Sequence, residues 1–277
     1  MKNNILVIGG TGKTGRKVVN RLTDMGHNVR IGSRSATPAF DWQQPDNWAD
    51  VLENIDKMYV TFQPDLAVPG AAEAIERLVY LAIDAGVKKM VLLSGKGEKE
   101  AENCEQIVMG AGIDFTIIRA TWFNQNFSES FFLAPLQSGY VALPKPEARV
   151  PYVDTDDIAD VVVETLLNPS HNGRIYQLTG PRVLTFPMVV DEISKATGRS
   201  IQFEAISLEQ YRDMLGEFGL PDDYIWLINY LFSEVLGKNG NDEISMDIEN
   251  ILGRAPKDFS EFVRENAAAW QPVTAEK

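Results

Sequence analysis

The stretch that decides the fold reads Val7-Ile8-Gly9-Gly10-Thr11-Gly12-Lys13-Thr14-Gly15. It ends the apolar run Asn4–Ile8, which is typical of a buried parallel strand, and leads into apolar residues at helical spacing. Gly12-Lys13-Thr14 resembles the end of a P-loop, but that motif needs a glycine five residues earlier, where Val7 stands. Glycines at positions 9, 12 and 15 between a strand and a helix instead predict a dinucleotide-binding loop.

Each glycine of this loop has its own expected purpose. Gly9 permits the tight turn, Gly12 lets the backbone approach a pyrophosphate, and Gly15 lets the helix pack closely on the strand. The N-terminus of that helix presents backbone N–H groups and the positive end of its dipole to the phosphates. Cofactor contacts are therefore expected from Gly9, Thr11, Gly12, Lys13, Thr14 and Gly15.

Outward from the loop, short apolar runs alternate with helical periodicity. This rhythm predicts a Rossmann-type α/β fold, a doubly wound parallel sheet with helices on both faces. The predicted strands are 4–8, 28–32, 57–62, 89–93, 115–118 and 174–178, and the predicted helices include 70–85, 98–109 and 154–167.

The second half of the chain is less regular. After Gly180-Pro181 it is predicted to be mostly helical, with one strand near 201–205. We expect residues 1–180 to bind the dinucleotide and residues 181–277 to form a smaller, mainly helical substrate or lid region, to which the loop 126–150 contributes. The aromatic residues of this region are expected to form a helical core stripe or, alternatively, a flat apolar pocket wall. They are Tyr224, Trp226, Tyr230 and Phe232.

The end of the second predicted strand indicates which dinucleotide is preferred. An NAD site usually carries Asp or Glu there to hold the ribose hydroxyls. The chain has no carboxylate between Val29 and Arg34, whereas Ser33 and Arg34 can both bind a phosphate and Lys13 can add a second charge. The sequence therefore predicts a preference for NADP(H) over NAD(H).

Composition excludes several classes of function. The 277 residues carry a formal net charge of −13, which argues against a nucleic-acid surface. The single cysteine and two distant histidines argue against a disulfide framework or a metal site. No apolar run is long enough for a membrane span or a signal peptide, so we expect a cytoplasmic protein acting on a small molecule.

The basic residues near the N-terminus divide into two groups. Lys13 and Arg34 are expected to meet phosphates. The others are expected to be solvated, namely Lys2, Arg16, Lys17, Arg21 and Arg30.

Further motifs resemble the NmrA-like group of atypical short-chain dehydrogenases/reductases, within which the chain is similar to quinone reductases and ergot-alkaloid iminium reductases. The resemblance covers most of the chain. Its motifs are Asp41-Trp42 with Trp48, Tyr59 to Pro64, Phe115 to Arg119 with Trp122 to Asn126, Asp157-Ile158-Ala159, Tyr176 to Pro181, and Thr197-Gly198-Arg199.

This resemblance implies further site residues. Asp41 would lie near the adenine, Thr61, Phe62 and Gln63 over the ribose and nicotinamide, and Ser94 would contact the cofactor or substrate unless it caps a turn. Lys96 would orient the substrate or remain a solvated charge. Trp122, Phe123 and Asn124 would either line the substrate pocket or belong to the core.

Family members that reduce carbonyls carry Tyr-x-x-x-Lys, and here no tyrosine is followed by lysine at that spacing. If Glu105 is the glutamate of the same family pattern, Gly97 and Ala101 stand at the tyrosine and lysine positions. The nearby Glu100, Glu102 and Glu105 are expected to form a solvated helix face that disfavours a reactive Cys104 thiolate.

The absence of this tyrosine and lysine narrows the range of expected reactions. Ketone reduction needs a hydride and a proton, whereas an iminium needs only the hydride, and a quinone gives a stabilised phenolate. The favoured function is therefore NADPH-dependent reduction of a small conjugated acceptor, with no catalytic residue assigned. The alternative is a non-catalytic regulator that senses NADP(H) and binds a protein partner.

Overall fold

A computed structural model describes residues 2–236, 238 and 240–272. The strands are β1 (Asn4–Ile8), β2 (Asn28–Gly32), β3 (Lys57–Val60), β4 (Lys89–Gly95), β5 (Asp114–Ala120), β6 (Tyr140–Leu143), β7 (Arg174–Leu178) and β8 (Gln202–Ala205). The helices are α1 (Gly15–Asp24), α2 (Trp48–Leu52), α3 (Ala71–Asp84), α4 (Lys99–Met109), α5 (Leu133–Ser138), α6 (Thr155–Leu167), α7 (Phe186–Thr197), α8 (Leu208–Glu217), α9 (Asp222–Tyr230), α10 (Asp247–Leu252) and α11 (Phe259–Glu265).

The chain forms two compact units that do not divide at a single boundary. The sheet unit contains residues up to Ala120, Thr155–Leu178 and Met246–Arg254, and the second unit contains Thr121–Asp154, Thr179–Ser245 and residues from Ala255 onward. The assignment of residues 1–180 to the cofactor and 181–277 to the substrate stays a prediction. Its second range includes positions 237, 239 and 273–277, and its first includes position 1, all of which lie outside the described residues.

The sheet unit confirms the predicted Rossmann-type architecture. Its six strands are all parallel and lie in the order β2-β1-β3-β4-β5-β7. The order reverses between β1 and β3, because β2 lies on one side of β1 and β3 on the other. In open α/β sheets such a reversal marks the crevice where ligands bind, outside the carboxyl ends of the strands.

Both faces of this sheet are buried, which explains its continuous apolar runs. Alternate residues such as Leu6, Met58 and Met90 pack in one core with α2, α3 and α4. The intervening residues, such as Val7 and Val91, are equally buried. Helices α1 and α6 pack against each other, and α6 also contacts β3, β4 and β5.

The contact between α1 and α6 corrects one expectation about the basic residues. Lys17 Nζ lies 2.8 Å from Asp156 Oδ2, and Arg21 Nε lies 2.5 Å from Asp160 Oδ1. Lys17 and Arg21 are therefore paired with the acidic face of α6 and are not simply solvated. Arg30 also differs from the prediction, because its guanidinium donates to the carbonyls of Val51 and Glu53 at the end of α2.

The second unit is mainly helical around an aromatic core. The short strands β6 and β8 pair in parallel, from Tyr140 opposite Gln202 to Leu143 opposite Ala205. Strand β8 was predicted, whereas β6 was not. Residues of the core include Phe127, Phe132, Phe186, Phe232 and Trp270.

The aromatic stripe predicted for this core is mostly wrong. Of its four members, Phe232 is buried, but Tyr224 and Trp226 are 40% and 43% exposed. Trp226 and Tyr230 are one helical turn apart and stack on each other with parallel rings 5.5 Å apart. The inward positions of α9 belong instead to Leu227 and Ile228.

Among the helices of residues 2–236, 238 and 240–272, none has both the length and the apolar composition needed to cross a bilayer.

Candidate functional site

The glycine loop forms a tight connection between β1 and α1. Gly9 adopts a positive φ of 73°, which favours glycine, and its N–H donates to Gly32 O over 2.9 Å. The N–H of Gly12 donates to Gly9 O over 2.8 Å. These bonds hold the loop against the end of β2 as α1 begins.

Two of the glycines are required by close packing. A Cβ on Gly9 would lie 2.0 Å from Thr61 Oγ1, and a Cβ on Gly15 would lie 2.1 Å from Gly9 O. A Cβ on Gly12 would meet its nearest neighbour, Gly9 O, at 3.2 Å, and Gly12 is exposed. The loop thus packs on Thr61 through Gly9 and on its own backbone through Gly15, whereas Gly12 lies at the exposed surface of the loop.

Thr14, the last loop residue before α1, is hydrogen-bonded to a buried tyrosine. Tyr59 donates its hydroxyl to Thr14 Oγ1 over 3.0 Å, and both residues are almost fully buried. Burial raises the pKa of Tyr59 well above its usual value. Tyr59 therefore stays protonated and supports the loop, and Thr14 keeps its own hydroxyl proton for donation.

The end of β2 presents the expected phosphate-binding side chains. Ser33 follows Gly32, whose carbonyl accepts from the glycine loop, and the Ser33 carbonyl accepts from Ala36 and Phe40 in a turn. Ser33 Oγ lies 3.3 Å from Ser35 Oγ. Arg34 is exposed. Ser33 and Arg34 thus stand directly beside the loop predicted to hold the pyrophosphate.

The residues assigned by resemblance to the adenine and nicotinamide sides belong to one aromatic cluster. Asp41 Oδ1 accepts from Gln43 N over 3.0 Å, and Trp42 donates its indole N–H to Thr61 O over 3.2 Å. Thr61 donates its hydroxyl to Ile8 O over 3.1 Å. The rings of Trp42 and Phe62 lie 4.5 Å apart, whereas Gln63 is exposed. The cluster connects the segments that follow β2 and β3.

Glu105, Arg119 and Ser94 form a buried ion-pair network near the end of β4. The expectation that Glu105 belongs to a solvated helix face is therefore wrong. Glu105 has no exposed surface and accepts from Arg119 Nε at 2.9 Å and from Arg119 Nη2 at 2.5 Å. Ser94 donates its hydroxyl to Glu105 Oε1 over 2.6 Å. Glu102 matches the expectation, because its side chain is half exposed. The role of Ser94 toward a cofactor stays a prediction.

The Cys104 thiol is buried, which was not expected from the sequence. Burial raises the pKa of Cys104 to about 11, and the charges of Glu105, Asp65 and Glu73 act in the same direction. Cys104 is therefore a protonated, unreactive thiol near neutral pH, as predicted.

Two neighbouring carboxyl groups, those of Asp65 and Glu98, were not predicted from the sequence. Glu98 is only 6% exposed and lies in the loop after β4, and Asp65 lies after β3. Their carboxyl groups are hydrogen-bonding neighbours, and burial is the main reason that the pKa of each is raised. A signal was present in the sequence, since each acid follows one of two strands predicted to end at the same sheet edge.

The predicted substrate residues fall in different parts of the molecule. Lys96, in the sheet unit, is only 9% exposed, so it is not a freely solvated charge. The others belong to the second unit, where Trp122 packs on Phe132, Phe186 and Phe232. Phe123 and Asn124 bridge to Val153 and Asp154 at the end of the loop before α6, and Asn124 Oδ1 is buried without a hydrogen-bond partner among the described residues.

Gly97 and Ala101, the residues expected at the family's tyrosine and lysine positions if Glu105 is the family's glutamate, carry no functional side chain. Gly97 has a φ of 84°, and Ala101 is fully buried on α4. Within the described ranges, His, Cys, Asp and Glu side chains form no cluster of three or more that could hold a metal ion.

Comparisons with known proteins agree with this geometry. A family model described as NmrA-like matches residues 98–263, and one described as NAD(P)H-binding matches residues 9–169. The chain is 28% identical to Prestalk A differentiation protein A of Dictyostelium discoideum, covering 95% of this chain and 92% of that protein. It is also 28% identical to an NAD(P)H azoreductase of Xenophilus azovorans, covering 96% and 99% of the two chains.

Solved structures share the fold at lower identity. An NADPH-dependent quinone oxidoreductase from Escherichia coli, complexed with NADPH, superimposes with a TM-score of 0.76 at 19% identity. The match covers 94% of this chain and 99% of that chain.

Proposed function

Because the chain belongs to the NmrA-like family of NAD(P)H-binding proteins, we propose that it is an NADPH-dependent reductase that transfers hydride to a small conjugated acceptor. The observation that carries this proposal is the contact of the glycine loop with the end of β2. Gly9 and Gly10 both donate to Gly32 O, so Ser33 and Arg34 follow immediately beside the loop. The glycine loop, which leads into the N-terminus of α1, therefore lies beside the exposed Arg34.

The residues present fit a dinucleotide. A Cβ at Gly9 or Gly15 would collide with its neighbours, which is the packing expected of a loop that must stay thin beneath a pyrophosphate. In this proposal the segment Gly9–Gly15 binds the pyrophosphate, with Thr11, Lys13 and Thr14 donating to it. Asp41 lies toward the adenine, and Thr61, Phe62, Gln63 and Ser94 lie toward the ribose and nicotinamide.

The preference for NADP(H) over NAD(H) rests on charge at the end of β2. A 2′-phosphate would gain charge-assisted hydrogen bonds from Arg34 and Ser33. No carboxylate stands between Val29 and Arg34 to accept ribose hydroxyls or to repel that phosphate.

Replacing Arg34 with alanine should weaken NADPH binding by roughly 1.5–3 kcal/mol, the usual cost of losing a hydrogen bond to a charged group. NADH affinity should be nearly unchanged, because NADH lacks the 2′-phosphate. Isothermal titration of both dinucleotides measures the two changes. Arg212, an exposed residue of α8, offers an Arg→Ala control. Equal losses for NADPH and NADH would rule out the assignment of Arg34.

Bound NADPH would supply the hydride. The class of acceptor then depends on whether the side chains of this protein can also supply a proton. The absence of a tyrosine followed by lysine removes the usual acid for a ketone. Reduction of a quinone or an iminium depends less on a proton donor. Correct positioning of the acceptor against the cofactor can therefore supply much of the rate acceleration. The name of the related azoreductase extends the candidate acceptors to azo compounds. Lys96, Trp122, Phe123 and Asn124 are proposed to contact the acceptor.

A second candidate is a regulator that binds NADP(H) without turnover and acts on a protein partner. It is favoured by one similar protein whose name describes differentiation rather than catalysis. NADPH oxidation by the purified protein, followed with a quinone, an azo dye and a cyclic iminium, separates the two. Turnover proportional to protein concentration supports the reductase. Tight NADPH binding with no turnover on any acceptor supports the regulator.

A further inference from the structure

We propose that Glu98, paired with Asp65, is the proton donor of this reductase, in place of the missing tyrosine. The inference rests on the proposed function and adds to it the class of acceptor that needs this proton. It is carried by the position, burial and unusual surroundings of the Glu98 carboxyl group.

The position is at the carboxyl edge of the sheet. Asp65 and Glu98 follow β3 and β4, which are adjacent strands, and β3 is also one side of the strand-order reversal where ligands bind in such sheets. Asp65 stands four residues after Thr61, whose side chain touches the glycine loop. Glu98 also follows directly on Gly97, the position aligned with the family's tyrosine.

The Glu98 side chain does not cap helix α4, although Glu98 directly precedes that helix. It occupies the N-cap position of α4, yet its side chain accepts no capping hydrogen bond. The carboxyl group instead folds back over Gly95, where an added Cβ would lie 2.0 Å from Glu98 Oε1. The glycine in β4 therefore leaves the space that the Glu98 carboxyl group occupies.

Glu98 Oε2 is buried and receives no hydrogen bond from an N–H or hydroxyl group within the described ranges. A carboxylate in that setting would be strongly disfavoured, whereas a carboxylic acid shared with Asp65 is accommodated. The charges of Asp65, Glu100 and Glu105 act in the same direction as burial, and Lys96 stands two residues earlier in the same loop. The burial of Glu98 and its acidic neighbours therefore both favour the protonated form of one carboxyl group of the pair.

Reduction of an azo bond by hydride requires one proton as well, which the Glu98 carboxylic acid can supply. One nitrogen gains hydride with its electron pair, and the N=N π electrons move to the second nitrogen. The O–H bond of Glu98 breaks, its proton goes to that nitrogen, and the carboxylate shares the remaining Asp65 contact until water returns a proton. The product is a hydrazine. An iminium becomes a neutral amine on gaining hydride and requires no proton.

The test compares these two acceptors in Glu98→Gln under single-turnover conditions with saturating NADPH. We expect azo reduction to fall about 100-fold, the usual range for losing a general acid, and iminium reduction to stay within about twofold. Glu102→Gln, which removes a half-exposed carboxylate from α4, is the matched control and should change neither rate. Equal loss with both acceptors, or no loss with the azo dye, would overturn the proton-donor role.

Two measurements on the protein without turnover keep this outcome separate from the proposed function. The infrared C=O band of a carboxylic acid should be present at neutral pH in the wild type and lost in Glu98→Gln. The raised pKa of Glu98 means that its contribution to stability is present below its ordinary pKa of 4.5 and is lost as the pH rises through the folded-state value. Glu98→Gln should therefore gain in melting temperature relative to the wild type as the pH rises above about 5.

The possible failures are distinct. If the wild type reduces none of the acceptors, the proposed function fails and the proton-donor role fails with it. If the wild type is active but lacks the carboxylic acid band, or shows no relative change in melting temperature, the reductase stands and Glu98 is not its proton donor.

Discussion

Gly9→Ala should destabilise the protein by about 3 kcal/mol and should lower dinucleotide affinity at least ~100-fold. A side chain at the positive φ of 73° costs about 1–2 kcal/mol, and the Cβ would overlap Thr61 Oγ1 at 2.0 Å. Relief of that overlap moves either the loop away from β3 or Thr61 away from Ile8 O. Urea unfolding and NADPH titration measure the two effects.

Two other glycines provide the controls for this prediction. Gly26 has a similar φ of 81°, but a Cβ there meets no atom within 4 Å, so Gly26→Ala should cost only the backbone strain. Gly12→Ala should leave stability nearly unchanged and still weaken NADPH binding, because Gly12 is exposed where the phosphates are expected. If Gly9→Ala were no more destabilising than Gly26→Ala, the close approach to Thr61 would not matter for the fold.

Arg119→Met should lower the free energy of unfolding by about 3 kcal/mol, within the range for breaking a buried ion pair. Arg119 donates three hydrogen bonds to the fully buried Glu105. Without Arg119, the carboxylate would keep the hydrogen bond from the Ser94 hydroxyl. Desolvation of the carboxylate would then be poorly compensated. The measurement is urea unfolding at neutral pH.

The double variant Arg119→Met with Glu105→Met tests the cause. Replacing both partners by apolar side chains removes the uncompensated charge, so most of the lost stability should return. Lys195→Met, which breaks the exposed Lys195–Asp191 pair, should leave unfolding unchanged within experimental error. A double variant as unstable as Arg119→Met would show that packing by the arginine, and not its charge, supports β5.

The order of strands and helices was predictable because its signals are local. Strands 4–8, 28–32 and 174–178 were predicted with the bounds observed, since each is a short apolar or β-branched run closed by glycine or a polar turn. Other bounds differ by one or two residues. Strands β4 and β5 extend to Gly95 and Ala120, because pairing between Ser94 and Arg119 continues the ladder beyond the apolar run.

The direction of side chains in the second unit was less predictable. The exposed Trp226, the half-buried Tyr230 and the buried Phe232 share one apolar segment, and the composition of that segment does not distinguish them. Helix α9 ends at Tyr230 and is followed by a π-helical turn over Leu231–Val235, which changes the helical phase and turns Phe232 into the core. Phase depends on the packing of neighbouring elements, not on apolar character.

By itself the sequence determined the Rossmann-type fold, the glycine loop between β1 and α1, and the cation at the end of β2. These features follow from strand, helix and turn preferences within a few tens of residues. Only the tertiary structure decided which acidic groups are buried. Parallel strands bring Asp65 to Glu98 and Glu105 to Arg119. Burial raises the pKa of both Asp65 and Glu98, whereas Glu105 forms an ion pair with Arg119.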